Sequence, residues 1–215
     1  MIVGPYDTWL WDCDGVLLDS NRLKTEAFHD LARPYGADVA DALVAYHRRH
    51  GGRSRFEKVR YLLGELLGLR PTEQHVAELA RAYGALVRDR LLVCPPTTGA
   101  RACVARRPAG CRWYVVSGGL EDEVRAALVA QGLAPQFDAI HGSPRSKDQI
   151  VAALGLGPSP RAVMLGDSRH DHEVAVRFGL DFVFVSSWSE MVDWRDYVAT
   201  HRVPVVAELA ELELR

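Results

Sequence analysis

The 215-residue chain is about half hydrophobic (48%) and one quarter charged (25%), with a formal net charge of −2. That composition suits one large globular domain, or one domain with a smaller insertion, and gives no global electrostatic reason to expect a nucleic acid or membrane partner. No apolar run approaches the ~20 residues of a membrane span, and no secretory leader is visible. The four cysteines (Cys13, Cys94, Cys103, Cys111) form no CxxC pair, so the expectation is reduced thiols in a cytoplasmic protein.

Residues 7–12 read as a short buried strand, apolar and aromatic through Trp9-Leu10-Trp11, that ends on Asp12-Cys13-Asp14-Gly15. Residues i and i+2 of an extended chain share a face, so Asp12 and Asp14 would point together. Two like charges that close need a cation or a proton, and Mg²⁺ is held through just such carboxylates plus water and phosphate oxygens. An Asp-Gly turn explains the same residues without chemistry, and on this pair alone both explanations stand. Cys13, between two carboxylates, has its thiol pKa raised and reads as filler.

From about Ser20 to Val93 apolar residues recur at helical spacing, through Leu23, Ala27, Phe28 and Leu31 and on to Tyr83, Leu86 and Val87. Breaks at Pro34-Tyr35-Gly36, Gly51-Gly52 and Arg70-Pro71-Thr72 divide the block into about four helices. Thr72 is the expected N-cap of the last of them. After Cys94-Pro95-Pro96 the chain alternates: a helix over about 97–107, a strand at 113–116 into Ser117-Gly118-Gly119, and a helix over 120–131. A strand at 137–140, a helix over 146–155, a strand at 162–165 into Gly166-Asp167-Ser168, a helix over 170–178 and a strand at 182–185 follow. The tail from Trp188 reads as packing, with a last strand at 203–206. Near-continuous apolar strands separated by helices predict a parallel sheet buried on both faces. In such sheets the site lies beyond the carboxyl ends of the strands, near a topological switch point. Asp12, Ser117 and Gly166-Asp167 would meet at that edge.

Asp12-Cys13-Asp14-Gly15-Val16-Leu17-Leu18-Asp19-Ser20, Ser117, Lys147, and Gly166-Asp167 with Asp171 form an ordered set. That set resembles the four motifs of the haloacid dehalogenase-like hydrolase superfamily, in its phosphoglycolate phosphatase-like subgroup with a helical cap inserted after the first motif. The resemblance implies an α/β fold: a Rossmann-like parallel sheet core with helices on both faces, formed by residues 1–18 and 95–215, and an all-helical cap at 19–94. It implies that Asp12 is the nucleophile and forms an aspartyl-phosphate, and that Asp14 is the acid/base, its carboxyl raised toward the working range. Mg²⁺ would be held by Asp12, the Asp14 backbone carbonyl and Asp167, with Asp171 as a ligand or an orienter. Ser117, Gly118 and Lys147 would bind the transferring phosphoryl group.

Within the superfamily, Asp14 argues against dehalogenation and against phosphonoacetaldehyde hydrolysis through a cap lysine such as Lys24. Gly166-Asp167, in place of Glu-Asp, favours a phosphatase over a sugar phosphomutase, and a purely binding or regulatory protein would lack a catalytic group. The expected substrate is a small phosphorylated metabolite, a sugar phosphate or a phosphoglycolate-like ester. The segment 47–60 carries five Arg and one Lys against one Glu. It is either a solvated loop or, through Arg53, Ser54 and Arg55, the binder of an anionic or hydroxyl-rich leaving group.

Overall fold

The computed structural model describes residues 2–157 and 161–214. A strand at Thr8–Trp11 (β2) runs into helices α1 (Asn21–Ala32), α2 (Ala37–Arg49), α3 (Arg55–Tyr61) and α4 (Glu73–Leu92). Helix α5 (Ala100–Val104), strand β3 (Arg112–Leu120), helix α6 (Glu121–Ala130), strand β4 (Ala139–Ser143) and helix α7 (Lys147–Leu154) follow. The chain then forms β5 (Ala162–Gly166), α8 (Arg169–Arg177), β6 (Asp181–Val185), α9 (Trp194–His201) and β7 (Val205–Val206). A separate two-stranded parallel ribbon joins β1 (Ile2–Val3) to β8 (Glu213–Leu214).

The main sheet is parallel throughout, in the order β4-β3-β2-β5-β6-β7. Strand β2 is central because every residue of Thr8–Trp11 is buried, which only a strand covered on both faces tolerates. Its alternation sorts the two cores. Trp9 and Trp11 face one way and pack at a tilt against Trp113, at centroid distances of 5.9 and 4.7 Å, while Leu10 faces the other way into the group containing Val116, Met164 and Phe184. The chain leaves β2 to build outward through β3 and β4, then returns to the other side of β2 with β5. The switch point therefore lies beyond the β2 carboxyl end, where Asp12 sits.

Between β2 and β3 the described residues contain helices, turns and two isolated bridges, Asp14 to Leu18 and Leu18 to Pro96, but no strand. The Gly51-Gly52 break falls between α2 and α3, and the Thr72 hydroxyl caps α4 by accepting the His75 N–H at 3.2 Å. After Tyr61 the α3 backbone continues as a π-type turn over Leu62–Leu66. Helix α5 is half the predicted length, because Gly99 with φ +79° starts it late and no regular backbone continues past Val104. Strand β3 runs four residues further than predicted, with a register shift between Val116 and Leu120 that carries Ser117, Gly118 and Gly119 along the sheet edge. Helix α9 was not foreseen. Its aromatics Trp194 and Tyr197 pack against the β6 side of the sheet, with Trp194 stacked on Phe184 at 5.7 Å.

Candidate active site

Asp12 is 2% exposed at the end of β2, and its backbone N–H donates to Leu165 across the β2–β5 seam at 2.9 Å. Lys147, the first residue of α7, reaches its Oδ1 at 2.7 Å and also bonds Asp171 Oδ1. Ser146 places that lysine: its side chain accepts the Gln149 N–H while Gln149 accepts the Ser146 N–H at 2.9 Å, a reciprocal cap that starts the helix there. Asp171 sits in the same kind of cap at the start of α8. Its Oδ2 accepts the Ser168 hydroxyl at 2.6 Å and the Ser168 N–H at 3.2 Å. Both Asp171 oxygens are therefore engaged within the protein.

Asp167 ends the β5 edge and accepts the Asn21 amide at 2.6 Å. Gly15, with φ +73°, lets the loop pass beside that pair, because a Cβ there would overlap both the Asn21 amide nitrogen and an Asp167 oxygen. Asp12, Asp167 and Asp171 each offer an oxygen within 4.8 Å of the others, all buried. Burial pushes the Asp12 carboxyl up to about 7, with Asp171 and Asp14 acting the same way and Lys147 opposing. Burial, Asp12 and Asp171 likewise raise Asp167 well above the carboxylate range. Three buried carboxylates facing one lysine are short of positive charge, and a hard divalent cation with oxygen ligands fits that donor set.

Asp14 occupies a different environment. Its Oδ1 accepts the Ser20 hydroxyl and its Oδ2 the Lys24 ammonium, both at 2.5 Å. Burial alone would raise its carboxyl; Lys24 and the hydrogen bonds from Lys24 and Ser20 outweigh burial and hold it below the ordinary range. The expected upward shift is absent because a lysine from α1 reaches into the cleft. Ser117 is fully buried and its Oγ accepts the Gly119 N–H at 3.0 Å. Gly118 and Gly119 line the cleft above it.

The cleft has a volume of about 60 Å³ and is closed by the helices from residue 21 onward. The turn between α2 and α3 meets the edge of the sheet at backbone level: a Cβ on Gly118 would overlap the Gly52 carbonyl, and one on Gly52 would sit 2.7 Å from Ser168 Oγ. Of the three basic-segment residues, Arg53 lines the cleft and lies 3.6 Å from Glu57. Arg55 also lines it, but its guanidinium forks onto Glu123 of α6, with one arm at 3.0 Å. Ser54 caps α3 through the Glu57 N–H at 3.4 Å. Sequence reasoning passed over Asn21, His47 and Lys58, which also line the cleft. The signal for Lys58 was available, since it stands one helical turn after Arg55 on the same face.

The motif residues and the sheet order agree with an independent comparison: the family model of haloacid dehalogenase-like hydrolases matches residues 6–179. The chain belongs to this family. Tyrosine-protein kinase PtkA of Mycobacterium tuberculosis is 30% identical over 215 aligned positions, which cover 94% of this chain and 70% of PtkA. Three solved structures share the haloacid dehalogenase-like fold at lower identity. A predicted phosphoglycolate phosphatase from Haemophilus somnus has a TM-score of 0.71 at 16% identity, covering 96% of each chain. The β-phosphoglucomutase of Clostridium difficile has a TM-score of 0.77 at 15% identity, covering 97% of this chain and 94% of its own. The magnesium-bound YfnB of Bacillus subtilis has a TM-score of 0.61 at 17% identity, covering 93% of this chain and all of YfnB. Among the described residues no helix is long and apolar enough to cross a membrane.

Proposed function

We propose that this hydrolase is a Mg²⁺-dependent phosphatase that cleaves a small phosphomonoester through an aspartyl-phosphate on Asp12. The observation that carries the reading is the split between the two neighbouring aspartates. Asp12 lies in the buried carboxylate–lysine cluster, with Oδ1 on Lys147 and no protein donor at Oδ2 among the described residues, whereas Asp14 is paired with Lys24 in the same cleft. Asp12, Asp167 and the Asp14 backbone carbonyl would hold Mg²⁺. Asp171, with both oxygens engaged, acts as a positioning residue for Lys147. The bound ion would neutralise phosphoryl and carboxylate charge so that two anions can approach.

In the first step Asp12 Oδ2 attacks phosphorus and the bond from phosphorus to the leaving oxygen breaks. The proton held between Lys24 and Asp14 passes to that oxygen. Lys147, Ser117 and the Gly118 backbone hold the equatorial oxygens. In the second step the Asp14–Lys24 pair, which gave up its proton in the first, takes one back from water; the water oxygen bonds to phosphorus and the bond between Asp12 and phosphorus breaks. Phosphate leaves and Asp12 is regenerated.

In this reading residues 1–18 and 95–215 are the catalytic core and 19–94 a cap that opens for exchange. The substrate is a phosphorylated metabolite met in the cytoplasm, with neither nucleic acid nor membrane as partner, in keeping with the near-neutral charge and enclosed cleft. The name of the mycobacterial relative points to tyrosine as a phosphoryl acceptor and the clostridial fold relative to a sugar phosphate. The test is phosphate release from p-nitrophenyl phosphate with Mg²⁺, expected from the wild type and abolished in Asp12→Asn. Absence of release from a broad phosphomonoester panel would overturn the reading, and interconversion of hexose 1- and 6-phosphates would replace it with the mutase.

A further inference from the structure

The cations lining the catalytic cleft are paired off with one exception. Lys24 meets Asp14 at 2.5 Å, Arg48 meets Glu190 at 3.7 Å, Arg53 meets Glu57 at 3.6 Å and Arg55 meets Glu123 at 3.0 Å. Lys58, on α3, is the exception among the described residues. It is 3% exposed, its ammonium lies 5.3 Å from the Phe28 ring centroid, and that ammonium makes neither a hydrogen bond nor an ion pair with the described residues. Phe28, Tyr83 and His47 surround it, and the paired Lys24 and Asp14 lie close enough to act on its charge, Lys24 against it and Asp14 for it. Phe28 and Tyr83 stack at 4.1 Å, and the His47 ring lies 4.7 Å from Phe28 with its buried Nδ1 unpartnered. An ammonium that lines the cleft without a hydrogen-bond or ion-pair partner, beside a buried imidazole nitrogen that also has none, forms a ready-made receptor for a small anion.

We propose that Lys58 and His47 receive a carboxylate on the leaving group, so that the preferred substrate is the phosphate monoester of a small hydroxy acid. This rests on the phosphatase reading and narrows its substrate class. One lysine matches the single charge of a carboxylate, whereas a second phosphate dianion would remain half uncompensated in a buried site. Burial holds the His47 pKa well below its ordinary value, with Lys58 and Lys24 acting the same way, so the ring is neutral and offers one N–H donor. Burial also pushes the Lys58 ammonium down to about 7, reinforced by Lys24, and an arriving carboxylate would restore its charge. Division of labour follows from the layout. The Asp12 cluster binds the phosphoryl end common to all phosphomonoesters, and the Lys58 end reads what is attached to it.

The test compares phosphoglycolate with 2-hydroxyethyl phosphate, which share the phosphoryl group and carbon chain and differ in a carboxylate. With Mg²⁺, the wild type is expected to prefer phosphoglycolate in kcat/KM by roughly 10- to 100-fold, the range of one charge-assisted hydrogen bond to a desolvated anion. Lys58→Met brings the ratio close to one and Lys58→Arg restores part of it. Being a ratio, it is insensitive to a general loss of activity or folded protein. A wild-type ratio near one, or a wild-type ratio retained in Lys58→Met, overturns the proposal. Should the wild type release no phosphate from any ester, the phosphatase reading fails separately. Calorimetric titration of the two esters into Asp12→Asn protein, and into its Lys58→Met derivative, then decides the carboxylate site on the same ratio.

Discussion

Replacing Lys58 with methionine should stabilise the protein, and by an amount that depends on pH. The ammonium falls from 10.5 to about 7 on folding, so between those values the unfolded chain binds more protons than the folded one. Stability of the wild type therefore rises with pH across that window, and the penalty is fully present below about pH 7. At 1.36 kcal/mol per pKa unit the penalty at neutral pH is at most roughly 4–5 kcal/mol. Loss of the cation–π contact with Phe28 removes about 0.5–2 kcal/mol of stabilisation from the variant. A net gain of roughly 2–4 kcal/mol follows for Lys58→Met at pH 7, shrinking toward zero near pH 10.5. Urea unfolding of both proteins at intervals from pH 6 to 10 measures the difference directly, and other titrating groups cancel in it. A variant less stable than wild type at pH 7, or a gap that stays constant with pH, refutes the reasoning.

Gly118→Ala puts a methyl group against the Gly52 carbonyl; the turn between α2 and α3 then seats imperfectly, and kcat is expected to fall by about 100-fold while proteolysis in the 47–60 segment speeds up. An unchanged kcat would show that the Gly52–Gly118 contact does not set closure. Lys147→Met leaves Asp12 and Asp171 buried without their cation, at an expected cost of about 3–5 kcal/mol in urea unfolding; a cost under about 1 kcal/mol speaks against the buried pairing. Asp167→Asn is expected to weaken Mg²⁺ binding by about 10- to 100-fold in calorimetric titration. Equal affinity in both proteins would remove Asp167 from the metal site.

How far the sequence reached depended on whether a feature is local. The central strand Thr8–Trp11, the cap at Thr72 and the helical block between Ser20 and Val93 follow from periodicity and capping chemistry, which act within a few residues. Asp12, Lys147 and Asp167 were expected at one edge because each follows a strand or begins a helix, and a parallel sheet gathers such ends there, whereas Ser117 falls inside β3, which runs on to Leu120. Helix α9 was missed because its aromatics and charges have no clear period until they pack on Phe184. Pairing was the part hidden from the sequence. Arg55 looked like a substrate ligand until Glu123, 68 residues away, engaged its guanidinium, and Asp14 looked like a carboxyl with a raised pKa until Lys24 closed on it. Lys58 is one basic residue among six in its segment, and only the tertiary structure shows it buried without a counter-ion. Residue type and spacing determined which chemistry this chain can assemble. Burial and long-range pairing decided which of its charges remain free to act, because an ion's energy depends on the neighbours folding brings to it.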